Sequence, residues 1–92
     1  MPRITVEEFR FSHRADSKMR EHGIDFDQLF EILNHRLVVR RNRKGRAAEY
    51  FMIGRDNDGR CIAVPIVPTE DPLSWRPVTA WYCKPSEAAA HG

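Results

Sequence analysis

Apolar and polar positions divide the chain into a helical first part and a strand-forming second part. Residues 25–34 (DFDQLFEILN) place Phe26, Leu29, Phe30 and Leu33 at the i, i+3, i+4, i+7 spacing of one helix face. Asp25 is positioned to cap this helix, and Gln28, three residues on, completes a capping box. Residues 12–22 (SHRADSKMREH) read as an earlier helix. Ser12 caps it, Ala15 and Met19 form a narrow apolar stripe, and Gly23 stops it. The very short linker predicts a helical hairpin. Residues 3–11 (RITVEEFRF) are ambiguous. Their β-branched start and the alternation of Phe9 and Phe11 suit a strand, whereas VEEF could begin a helix; the reading favours a strand or extended arm.

From residue 37 the period changes to two. Residues 37–42, 47–55, 60–67 and 75–83 read as strands. Glu49, Phe51 and Ile53 alternate with Tyr50 and Met52, while Ile62, Val64 and Ile66 share a face. Asp56-Asn57-Asp58-Gly59 is a strong turn signal. Pro65 removes a ladder donor and so argues for an exposed or bulged strand, although a simple meander would make that strand central. Residues 68–74 read as a loop and 85–92 as a fraying tail. The expectation is one α+β domain over residues 1–92, with two N-terminal helices packed on a three- to four-stranded antiparallel sheet. The opposite face of that sheet would be open and carry basic side chains.

Charge sharpens this picture. The formal net charge is +2, yet residues 36–46 (RLVVRRNRKGR) contain six Lys or Arg among eleven residues and no acid. The other 81 residues therefore sum to −4. The stretch reads as a β-hairpin with a basic tip and Gly45 in the turn. Such a ribbon is an electrostatic footprint for a phosphate backbone; the competing reading is a charged hairpin that resists edge-to-edge aggregation. No run of eighteen apolar residues marks a membrane span, and no apolar leader segment is evident. Cys61 and Cys83 sit in apolar segments and are expected to be buried free thiols. The histidines His13, His22, His35 and His91 show no zinc spacing with them. A cytoplasmic location is expected, with no metal and no small-molecule cofactor.

The order of motifs resembles the BrnT-type toxins of the RelE/ParE superfamily, the toxin halves of bacterial type II toxin–antitoxin pairs. The matching positions are Phe9 and Phe11 before the first helix, Lys18 within it, and the turn His22-Gly23-Ile24-Asp25-Phe26. They continue with Glu49 and Gly54 in one strand, Gly59-Arg60 opening the next, Arg76, Thr79 and Ala80 in the last, and Glu87. Where the family carries arginine after Thr/Ser-Ala, this chain has Trp81. The resemblance implies a RelE/BrnT-like fold, a metal-independent ribonuclease activity and a DNA-binding antitoxin as partner. A non-catalytic nucleic-acid- or protein-binding module of the same fold is the alternative.

RNA cleavage of that kind needs a base for the 2′-hydroxyl, an acid for the leaving 5′-oxygen and cations for the phosphorane. The expected phosphate clamps are Arg41, Arg43, Arg60 and Arg76; of these Arg41, Arg43 and Arg76 are the expected catalytic residues, together with Glu49 and Tyr82 as base or proton relay and His22 as general acid. Expected RNA contacts are Arg40, Arg41, Arg43, Lys44, Arg46, Arg55 and Arg60, with Trp81 stacking on bases. For each, a structural role competes: solvated arginines, an ion pair between Glu49 and a hairpin arginine, a packed Tyr82 or Trp81, and His22 favoured at a helix C-terminus.

Overall fold

The computed structural model describes residues 5–42 and 48–91. The tip of the expected basic hairpin, with Arg43, Lys44, Gly45 and Arg46, lies outside the described residues. The elements are β1 (Glu8–Phe9), α1 (His13–Glu21), α2 (Phe26–Leu33), β2 (Val38–Arg41), β3 (Tyr50–Arg55), β4 (Cys61–Pro68), β5 (Ser74–Pro77), β6 (Trp81–Tyr82) and α3 (Pro85–His91).

The fold is α+β, but its layout corrects the expected one. Among the described residues the sheet has six strands in the order β1-β5-β4-β3-β2, with β6 also paired to β4. It is mixed, because β1 runs parallel to β5, and β1 precedes the first helix. The strand lies within residues 3–11, where the sequence favours a strand or extended arm, but its place in the sheet was not expected. Its pairing of Glu8 with Ser74 joins distant parts of the chain.

The helix boundaries follow local chemistry. Ser12 Oγ accepts the Ala15 N–H at 3.2 Å. At α2 the Asp25 carboxylate accepts the Gln28 N–H, and Gln28 Oε1 accepts the Asp25 N–H, each at 3.1 Å. Gly23 between the helices has φ 77°, a left-handed conformation that suits glycine. The buried stripe of α2 is rotated from the expected one: Leu29 and Ile32 are fully buried, whereas Phe30 is 50% exposed.

Met52 of β3 and Ile62, Val64 and Ile66 of β4 join Ala15, Met19, Ile24, Leu29 and Ile32 in one core cluster. Gly54 lets α2 lie close to β3, since a Cβ there would stand 2.9 Å from Leu37 Cδ2 and 3.0 Å from Ile32 Cβ. The other face of the sheet carries Phe51, Ile53, Ala63, Pro65 and Trp81, whose registers link them across the strands. That face is only partly open. Residues 85–91, expected as a tail, form α3, which contacts β3. His91 is buried and its Nε2 lies 3.0 Å from the Arg36 carbonyl oxygen.

The last expected strand is broken in two, and Pro65 explains where. Ala63 pairs with Trp81 and Ile66 with Pro77. Between those pairs, Val64 and Pro65 face three residues, Val78, Thr79 and Ala80, which makes a β-bulge. The Val78 N–H donates to the Pro65 carbonyl oxygen at 2.9 Å. The carbonyl and nitrogen of a residue point the same way in an antiparallel strand, so the missing N–H of Pro65 faces the bulge. A central strand thus accommodates a proline where its neighbour is interrupted.

The two cysteines are also corrected: Cys61 and Cys83 form a disulfide, with Cα atoms 5.3 Å apart, and neither is a free thiol. Cys83 N–H donates to the Cys61 carbonyl oxygen at 2.9 Å, so the bond crosses between facing strand ends. Among the described residues, no helix is long and apolar enough to cross a membrane.

Candidate nucleic-acid interface

An open groove of about 860 Å³ lies on the sheet face away from α1 and α2. Its floor is Phe51 and Pro65, which are cross-strand partners. Ser86 and Glu87 of α3, with Trp81 and Lys84, form one wall. Asn42, Ala48 and Arg41, at the base of the β2–β3 hairpin, form the other. The bulge residues Val78 and Thr79 also line it, and His22 and Tyr82 reach it from the sheet edge.

Several side chains here are held in place. Trp81 Nε1 donates to Glu87 Oε1 at 3.0 Å, and the same carboxylate oxygen accepts the Lys84 N–H at 2.8 Å. Glu87 thereby caps the start of α3 and fixes the indole together. Tyr82 Oη accepts Gln28 Nε2–H at 3.0 Å and donates to the Gly23 carbonyl oxygen at 3.3 Å. Arg41 Nη2 donates to Glu49 Oε1 at 3.2 Å between two exposed side chains, a pairing that solvent screens and that is weak. The Thr79 hydroxyl is buried and has no hydrogen-bond partner among the described residues.

Four of the expected functional residues therefore line the same groove: His22, Arg41, Trp81 and Tyr82. Glu49 does not line the groove and is engaged by Arg41. Arg40 is exposed on β2 and Arg76 on β5, opposite Phe51 and Val67, and neither lines the groove. Arg55 lies at the far end of β3 from Tyr50, about 17 Å along the strand, and donates to the Gly59 carbonyl oxygen at 2.9 Å. Arg60 is tied up beside it, with Nε 3.0 Å from buried Asp56 and Nη2 3.0 Å from Asp58. Its guanidinium lies 5.7 Å from the Tyr82 ring centroid. Arg43, Lys44 and Arg46 lie outside the described residues. Sequence reasoning missed Lys84 and Ser86 because they were assigned to or beside a tail. Gln28 was read only as a capping residue.

Asp56 anchors the β3–β4 turn. Its carboxylate accepts the backbone N–H groups of Asp58 and Arg60 at 3.0 and 2.9 Å, and Gln28 Nε2 lies 3.5 Å away. Burial pushes its carboxyl up, but the Arg60 backbone N–H, the Gln28 amide and the Arg60 charge outweigh this and hold it below the usual carboxylate range. Glu70 is also held low, first by the hydrogen bond from Arg10. Among the described residues no three His, Cys, Asp or Glu side chains gather to hold a metal ion.

No protein-family model matches the chain. No curated protein matches it.

Proposed function

We propose that the chain is a metal-independent ribonuclease of the toxin class, with the groove as its RNA site. The observation that carries this reading is the convergence of His22, Arg41, Trp81, Tyr82 and Lys84 on one open groove. Arg41 and Lys84 supply cations for the RNA backbone at separate points along the groove, the arginine through its planar fork. His22 lines the groove, and its imidazole can both accept and donate a proton, so it suits proton transfer between the 2′-hydroxyl and the departing 5′-oxygen. Tyr82, with both hydroxyl bonds committed, positions its edge of the groove. A cognate antitoxin would neutralise Arg36, Arg40 and Arg41 with an acidic segment.

Expressing the chain alone should arrest growth and shorten transcripts. The purified chain should cleave single-stranded RNA in EDTA, and His22→Ala with Arg41→Ala should abolish cleavage while the circular dichroism spectrum is kept. Unimpaired growth at confirmed soluble expression, together with intact RNA in vitro, would overturn the reading.

A second reading has its own support. Arg41, Tyr82 and the Trp81 donor all have partners within the chain, which suits a module that binds nucleic acid without cleaving it. Salt-dependent RNA binding with no cleavage products would select it.

A further inference from the structure

We propose that the groove floor is a subsite for one unpaired nucleobase, with Trp81 as its stacking platform. This rests on the nucleic-acid reading above and specifies the form of RNA the site takes. Phe51 and Pro65 face each other across β3 and β4. Trp81 pairs with Ala63, two residues along β4 on the same face. With Val78 they line the groove with an apolar surface.

The one donor of the indole is spent on Glu87, which leaves the ring face as the recognition surface and fixes its orientation before a ligand arrives. Trp81 itself is only partly buried. Arg41 lies opposite Tyr50, which pairs with Ile66, and Lys84 follows Cys83, which faces Cys61, so the two cations stand toward opposite ends of the groove, separated both across the sheet and along its strands. A single strand of several nucleotides with one base on the apolar floor would carry its backbone past both cations. In a duplex the base faces are already stacked on their neighbours, so only a single strand or a splayed loop can present one. A ring face accepts any base, so the subsite selects for lack of pairing and tolerates base identity.

Trp75 is buried and serves as an internal contrast. In Trp75→Phe, the only tryptophan is Trp81. Titrating this full-length variant with a single-stranded RNA decamer should quench its emission. The same decamer made abasic should bind roughly 5- to 100-fold more weakly, still in a salt-dependent way, and should not quench. A hairpin duplex of the same sequence should behave like the abasic strand. In Trp81→Phe, which keeps Trp75 in the core, the quench should vanish; this variant carries the test should Trp75→Phe fail to fold. Equal binding of abasic and intact strands without a quench overturns the base subsite and leaves the RNA reading standing. No binding of any polynucleotide, or binding of polyglutamate alone, overturns both.

Discussion

Trp81 on β6 and Glu87 on α3 are joined by an indole N–H···carboxylate bond of 3.0 Å. The same carboxylate also receives the Lys84 N–H, so one side chain holds a groove wall and starts a helix. Glu87→Ala should destabilise the fold by about 1–2 kcal/mol through loss of the cap, read from the urea midpoint. It should also shift the Trp81 emission as the ring becomes free to turn. An unchanged midpoint and spectrum would show that α3 does not depend on this contact.

Asp56 predicts how stability depends on pH. Its folded-state carboxyl titrates below its unfolded value, so its contribution is fully present above about pH 4. That contribution is lost as pH falls through the lowered folded value. Glu70, lowered by Arg10, adds a loss of the same sign. Asp56→Asn keeps the shape but removes the charge that receives two backbone N–H groups and Arg60. It should cost about 1–3 kcal/mol at pH 7 and flatten the acid limb of a urea-midpoint profile between pH 5 and 2. A variant with the wild-type acid limb would refute this assignment.

The Cys61–Cys83 bond closes a loop with a sequence separation of 22. Loop-closure entropy gives about 3 kcal/mol for such a link. Dithiothreitol, or Cys61→Ser with Cys83→Ser, should lower unfolding stability by about that amount, measured in urea. Mass spectrometry of the alkylated, unreduced chain should find no modified thiol. Two alkylated cysteines in protein purified under oxidising conditions would remove the bond from the account.

Features written into neighbouring residues were legible. Ser12, Asp25 with Gln28, and Gly23 set the helix ends because each cap acts within three residues. The β3–β4 hairpin followed from alternation on either side of the Asp56–Gly59 turn. Features decided at a distance were not. The pairing of β1 with β5 and the disulfide depend on register between remote segments. The rotation of α2, which buries Ile32 and exposes Phe30, depends on the sheet beneath it. At the site, four residues expected to be functional, His22, Arg41, Trp81 and Tyr82, line one groove. Arg55 and Arg60 were expected with them as arginines flanking the next turn. A turn of tight carboxylate contacts claims Arg60, and Arg55 bonds within that turn.

Pro65 has a further consequence. The run Ile62-Ala63-Val64-Pro65-Ile66-Val67 would let β4 slide by two residues and still present branched aliphatics to the helices, because period two is preserved. Such a slide would carry the proline nitrogen out of the bulge and opposite β5 or β6, where the ladder demands a hydrogen. One imino acid therefore vetoes the misalignment that the aliphatic pattern alone would permit, and keeps Phe51, Trp81 and the gap between them in a single arrangement.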